Sequence, residues 1–304
     1  MTINYPVGKV EVLLGWVCNQ NCIFCSVGHK LKDSKKIKKF SQVKKDIAKA
    51  KDTGTNVISF SGGEPTIIPY LVDAIRYAQS VGFENIEIQT NGRMFSYENY
   101  AKNVLDAGAN RFLFSIHGNT PELHDFLVRS KGSFQQSLQG LRNINKFKNG
   151  KVDLRTSTVI TKLNYKVLPE IVKLLLMYDV KTFHTGPVII DGHAYTNKKI
   201  IVAKMSDIAP SIHRTIDDVW RAGRDIWVYS MPYCLMHGYE KTIAEFGNMD
   251  TVLYAPDFTA SIQEHRHEDR TKEESCETCK YNDICLGVWT KYINLFSFDE
   301  FKPC

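Results

Sequence analysis

The 304-residue sequence predicts an α/β fold, most simply a partial (β/α)6 barrel of the TIM type followed by a cysteine-rich C-terminal subdomain. Three observations predict it. Strand-like and helix-like segments alternate through the first two-thirds of the chain, the pattern of repeated βα units. The strand segments read as apolar on both faces, as in a parallel sheet covered by helices. After about residue 200 the alternation stops, and five of the eight cysteines follow.

The first strand is read in VEVLLGW (10–16). A helix follows over 41–54, with Val43, Ile47 and Ala50 on one face, Ser41 at its cap and Gly54 at its stop. NVISFSGGEP (56–65) is strand then loop, and 67–82 is helix. Strand 86–92 precedes helix 97–108, strand 111–118 precedes helix 133–150, and strand 152–160 precedes helix 165–179. TFHTGPVII (182–190) is the sixth strand. The expected organisation is a barrel over 1–200, a helical linker over 201–233 with one or two helices in 207–225, and a subdomain over 234–304. In such a sheet, chemistry gathers at the C-terminal ends of the strands.

Composition bounds the function. Hydrophobic residues at 43% and charged residues at 24% are those of a globular chain. No apolar run approaches the roughly 20 residues that cross a bilayer. The N-terminus lacks the basic start and long apolar centre of a signal peptide, so the chain reads as cytoplasmic. In that compartment eight cysteines point to metal or redox chemistry rather than disulfides. A net charge of +6 allows an anionic substrate but does not make a nucleic-acid protein.

The densest chemistry is GWVCNQNCIFCSVGH (15–29), which sets Cys18, Cys22 and Cys25 just past the first strand. Thiolates this close repel one another unless a cation or cluster neutralises them. Structural zinc takes four ligands. Three cysteines in one loop leave a position open, which suits a four-iron cluster, with a partial zinc site as the alternative. The next motif, Gly62-Gly63-Glu64-Pro65, ends the second strand; alone it would be an ordinary strand-exit turn.

Together the two motifs resemble the radical S-adenosylmethionine (radical SAM) superfamily, whose signature has this three-cysteine spacing with an aromatic residue before the last, here Phe24. The resemblance spans about residues 8–200. It implies that Cys18, Cys22 and Cys25 hold a [4Fe–4S] cluster whose open iron chelates S-adenosylmethionine. One electron would then break a carbon–sulfur bond, giving a 5′-deoxyadenosyl radical that abstracts hydrogen from a substrate. It also implies that Gly62, Gly63 and Glu64 meet the methionyl ammonium and that Phe24 lies near the adenine. Among polar residues near the later strand ends (Gln89, Thr90, Asn91, Ser115, His117, Arg155, Ser157), Ser115 and Arg155 are the choices for ribose and carboxylate, because a guanidinium fork matches a carboxylate. His117, His184, Asp191 and His193 are candidates for substrate contact or proton handling, each with a structural role as the alternative.

The tail carries Cys234, then CETCKYNDIC with Cys276, Cys279 and Cys285, then Cys304 as the last residue. It resembles the auxiliary-cluster extensions of the same superfamily, SPASM in the long form and twitch in the short. Five cysteines are too few for the long form's two clusters, so a twitch-like auxiliary [4Fe–4S] cluster on Cys234, Cys276, Cys279 and Cys285 is expected. Cys304 is the spare, or replaces Cys234; a zinc knot is the alternative. Tyr281, Trp289, Tyr292, Phe296, Phe298 and Phe301 are expected to pack the subdomain on the barrel. The lysine-rich GHKLKDSKKIKKF (28–40) could attract an acidic substrate or close as a lid, or be a solvated surface. The resemblance thus implies an enzyme acting on a peptide, with an electron donor such as flavodoxin or ferredoxin. The alternatives are a small-molecule dehydrogenase or cofactor-building enzyme, and a non-enzymatic iron–sulfur or zinc module. Nothing in the sequence resembles a separate leader-peptide-binding domain.

Overall fold

The computed structural model of the chain describes residues 6–30, 37–246, 250–265 and 268–304. The centre of the lysine-rich segment, 31–36, lies outside the described residues, and with it the lid and attraction readings.

The expected strands form in chain order as β1 (Val7–Leu13), β2 (Val57–Ser61), β3 (Asn85–Thr90), β4 (Arg111–Ser115), β5 (Asp153–Ile160) and β6 (Thr182–Pro187). Each pairs in parallel with the next. Three more strands extend the sheet, β7 (Asp225–Val228), β8 (Asp250–Tyr254) and β9 (Thr259–Ser261), giving the order β7-β6-β5-β4-β3-β2-β1-β8-β9. The architecture is therefore a partial TIM-type α/β barrel, open between β7 and β9. The sequence reading named none of the three: Asp225, read as the end of a helical segment, begins β7, and β8 pairs in parallel with β1.

Helices cover the outer face: α1 (Phe40–Asp52), α2 (Leu71–Ser80), α3 (Glu98–Asp106), α4 (Pro121–Val128), α5 (Ser133–Phe147) and α6 (Leu168–Leu176). The short turns α7 (Gly192–Thr196) and α8 (Lys198–Ile201) lead into α9 (Met205–Arg221). The row Val12, Phe60, Ile88, Phe112 and Leu154 runs across five strands in register and is completely or almost completely buried under them. Burying each such side chain stabilises by roughly 1.5–3 kcal/mol. On α9, Met205, Ile208, Ile212, Ile216 and Val219 recur at helical spacing and are buried.

The neighbouring row is different: Glu11, Ser59, Glu87, Arg111 and Asp153 share one register level and are all polar. The strands are thus apolar on one face only, against the sequence expectation of two. The inward face of an open barrel is a lumen, so it carries groups that bond each other or a ligand. Tail aromatics join the main core, as expected: Tyr292 and Phe301 are buried, and the Tyr292 hydroxyl accepts the Met205 amide at 2.7 Å. No described helix is long and apolar enough to cross a membrane.

Candidate functional site

The loop after β1 carries Cys18, Cys22 and Cys25, all partly buried, at the C-terminal end of the sheet. Other elements hold it. The Asn91 side chain, just past β3, donates to the Asn19 side chain at 2.7 Å, and Arg93 donates to the Asn19 carbonyl at 2.8 Å. The Asn21 and Ile23 amides donate to Val128 and Leu127 at the end of α4, at 3.1 and 2.9 Å. Gln20 reaches Ser133 on α5 at 2.5 Å.

Left alone, these thiols would stay protonated. Burial, helped by the nearby Glu64 carboxylate, pushes Cys18 up to about 12. Burial, then the Cys18 and Cys25 sulfurs, raises Cys22 well above its usual range. Three thiolates here need a positive group among them. Among the described residues, no three Cys, His, Asp or Glu side chains converge closely enough to hold one metal ion. An iron–sulfur cube takes each cysteine on a different iron, so three cysteines leave one iron open. The donor set fits the cube.

The Gly62–Pro65 loop is bound to the cysteine loop rather than standing free. The Gly63 amide donates to Gly15 and the Glu64 amide to Val17, both at 2.8 Å. A Cβ at Gly63 would come within 2.6 Å of the Trp16 carbonyl oxygen and overlap that of Val17. The glycine therefore permits close approach to the chain's own backbone, an approach the sequence reading gave to a ligand. Glu64 is buried, and its carboxylate accepts the Thr66 amide (3.0 Å) and hydroxyl (2.5 Å), the Thr90 hydroxyl (2.7 Å) and the Asn91 amide (2.7 Å). It locks the exit of β2 to that of β3. Burial drives its carboxyl upward against the pull of these four donors.

Phe24 is buried and edge-on to His117, with ring centroids 4.5 Å apart. Ser115 sits at the C-terminal end of β4, opposite Ser157. Arg155 is the third residue of β5 and is held by Asp153 at 2.5 Å and Glu87 at 3.7 Å, over the polar floor of the lumen. Gln89 also turns to this floor, donating to Glu11 at 2.8 Å. His117 accepts the Val159 amide at 3.2 Å and is buried, Asp191 pairs with Lys291 at 2.7 Å, and His193 packs on the cysteine loop. His184 faces the lumen, its Nδ1 2.9 Å from the Tyr229 hydroxyl, and burial together with the Arg155 cation lowers it to about 4. The sequence reading missed Asn19, Arg93 and Asn197, whose roles depend on contacts between distant segments.

In the tail, Cys234, Cys276, Cys279 and Cys285 line one solvent-open pocket with Tyr233, Phe298 and Phe301. It is flanked by the antiparallel pair β10 (Arg270–Thr271) and β11 (Val288–Trp289). Cys304 is exposed but stands within electrostatic reach of Cys234, Cys279 and Cys285. The structure therefore gathers all five tail cysteines around one place.

The sequence model of the Radical SAM superfamily matches residues 13–185, more than half of the chain and the whole of the cysteine and glycine loops. The chain belongs to the radical SAM superfamily. Enzymes of this superfamily use a [4Fe–4S] cluster and S-adenosylmethionine. This radical SAM chain is 29% identical over 143 residues to the AdoMet-dependent heme synthase of Oleidesulfovibrio alaskensis, covering 47% of this chain and 36% of the relative. Over 126 residues it is 31% identical to a probable GTP 3′,8-cyclase of Methanothermobacter thermautotrophicus, covering 41% and 40%. The chain thus spans about two-fifths of the length of these curated relatives. Its fold is similar to that of Streptococcus suis SuiB bound to S-adenosylmethionine, with a TM-score of 0.69 and 16% identity over 98% of this chain and 76% of that one. Native anSMEcpe with bound AdoMet and Cp18Cys peptide gives 0.63 and 16% over 97% and 92%. At such identities the likeness is one of fold.

Proposed function

We propose that this radical SAM chain reductively cleaves S-adenosylmethionine and abstracts hydrogen from a peptide substrate, with a protein such as flavodoxin or ferredoxin as electron donor. Cys18, Cys22 and Cys25 would hold the [4Fe–4S] cluster, with Phe24, Gly62, Gly63, Glu64, Ser115 and Arg155 around the cofactor. When bound, the cluster supplies the electron that breaks the sulfonium carbon–sulfur bond. The protein's part is to fix the loop, exclude water with Phe24 and the β1–β3 exits, and admit the substrate to the lumen. Cys234, Cys276, Cys279 and Cys285 would hold a twitch-like auxiliary cluster in a subdomain over 234–304.

The observation that carries the peptide reading is the charge state of the lumen. Lys9 is held by Glu87 at 3.2 Å and Arg155 by Asp153 at 2.5 Å. Burial alone would raise Glu87, but Lys9 and Arg155 outweigh it and bring it down to about 2. The floor is thus neutralised internally. At the next level up, Ser115, Ser157, His184 and Trp227 share one register and are uncharged near neutral pH. A triphosphate would have to compete with carboxylates for those cations, whereas amide and apolar groups meet partners of their own kind. The likeness to SuiB bound to precursor peptide SuiA, over 99% of this chain, agrees with this. The curated relatives' names favour a second reading, a nucleotide or tetrapyrrole substrate.

The test is anaerobic reconstitution followed by dithionite and S-adenosylmethionine. The chain should release 5′-deoxyadenosine, Cys22→Ala should release none, and GTP should not raise the yield. Stimulation by GTP would replace the peptide reading with the second one.

A further inference from the structure

The cysteine loop is gripped from a second side by a segment more than 160 residues away. Cys22 O accepts the Cys25 amide at 3.2 Å, and Cys25 O accepts the Gly28 amide at 3.2 Å, so these two carbonyls close the loop's own turns. His193 on α7 sits on both. Its backbone amide donates to Cys25 O at 2.9 Å, and its Nδ1 lies 3.1 Å from Cys22 O. A carbonyl can only accept, so Nδ1 carries the proton. Asn197, one turn on, donates to Ile23 O at 3.0 Å and to His193 O at 2.8 Å. Shape enforces the fit. A Cβ on Gly28 would overlap the His193 ring, and one on Gly192 would come within 2.7 Å of Cys25 O. Gly192 also has a φ of +52°, a conformation that side chains other than glycine's rarely adopt.

We propose that His193 and Asn197 are positioning residues that hold the cysteine loop in its ligating shape before a cluster is present. Cys22 and Cys25 lie on either side of Ile23 and Phe24, so fixing the carbonyls of 22, 23 and 25 fixes the spacing of two of the three thiols. The third, Cys18, is governed from the other side through Asn19, Asn91 and Arg93. An open loop with three separated thiols has many ways to misplace one, and two clamps from opposite sides remove that freedom. Nothing in this inference depends on which substrate the chain takes.

The experiment compares His193→Phe, His193→Asn, Asn197→Leu and the His193→Phe/Asn197→Leu pair with the parent, all as full-length chain. Amide hydrogen exchange is read on the metal-free chain over residues 22–28 and, as a control, over α9, and the electron paramagnetic resonance after anaerobic reconstitution. Each single substitution should speed exchange of the loop amides about tenfold, and the pair should exceed either alone without reaching the product, because Asn197 also bonds His193 O. His193→Asn keeps a donor at the Nδ1 position and should return the loop to within about threefold of the parent. The electron paramagnetic resonance signal that responds to added S-adenosylmethionine should broaden in the pair and narrow again in His193→Asn. Unchanged loop exchange in the pair would overturn the proposal. So would a rise shared equally by α9, which would make the contact one of global stability, or a His193→Asn variant as loose as His193→Phe. If no signal responds to S-adenosylmethionine even in the parent, the cluster assignment fails, while the exchange data still decide the clamp.

Discussion

Replacing Gly63 by alanine tests the junction on which the barrel-side site is built. The added Cβ would stand 2.6 Å from the Trp16 carbonyl oxygen and from the Val17 carbonyl carbon, and would overlap the Val17 oxygen. All of these are backbone atoms, so no side chain can swing aside. Relief requires the β2 exit to move off the cysteine loop, which breaks the Gly63–Gly15 and Glu64–Val17 hydrogen bonds. Overpacking costs about 1–3 kcal/mol and each hydrogen bond about 1 kcal/mol, a total of about 3–5 kcal/mol. Gly150→Ala is the control: φ is +71°, but a Cβ there meets nothing within 4 Å, so only the conformational cost of about 1 kcal/mol applies. Urea denaturation of the metal-free chain, followed by circular dichroism, measures both. The account requires Gly63→Ala to lose at least about 2 kcal/mol more than Gly150→Ala, and to bind less iron on reconstitution. Equal losses would show that the glycine is there for a ligand and not for the loop, and would refute the reasoning.

Other substitutions probe neighbouring links. Glu64→Gln keeps the oxygen that accepts from Thr66 and Thr90 and turns an amide toward the Asn91 N–H that the second oxygen served, so stability should fall by about 2 kcal/mol in the same urea assay. His124 is fully buried, its Nδ1 accepts the His117 amide at 3.1 Å, and burial lowers it to about 4. A histidine held neutral binds fewer protons folded than unfolded between pH about 6.5 and 4, so its contribution is complete above that window and is lost as pH falls through it. A loss of about 3 kcal/mol is expected by pH 4, diminished in His124→Gln, and measured as the urea midpoint against pH. In the tail, Cys279→Ala should lower iron from about eight to about four per chain by colorimetric assay, while 5′-deoxyadenosine release survives. Cys304→Ala should leave the iron count unchanged and Cys234→Ala should lower it; the reverse would exchange their roles.

The six strands were legible because each carries a run of apolar residues whose outer row is buried, and runs such as VISFS and NIEIQT stand out without any knowledge of partners. The polar inner row was less visible. Ser59, Glu87 and Arg155 interrupt the strands at alternate positions, but only the barrel's curvature shows that Lys9 on β1 reaches Glu87 on β3. Helix α4, with Thr120 capping the Leu123 amide and Pro121 in its first turn, was overlooked despite its start signals. Strands β7, β8 and β9, three to five residues each, are too short for a periodic signal and gain their place from pairing. In the site, the cysteine and Gly-Gly-Glu-Pro motifs were found because their chemistry is local in sequence. His193 was read by its chemistry, yet its environment is set by Cys22, 171 positions away.

The central claim is that the cluster on Cys18, Cys22 and Cys25 keeps one iron free for S-adenosylmethionine. Electron–nuclear double resonance on the reduced, anaerobically reconstituted chain, with nitrogen-labelled S-adenosylmethionine, tests it most directly. The account predicts a strong coupling between the cluster spin and the cofactor's amino nitrogen that is retained in Cys279→Ala and absent in Cys22→Ala. A parent chain that shows no coupling, or a coupling lost in Cys279→Ala and kept in Cys22→Ala, would contradict it.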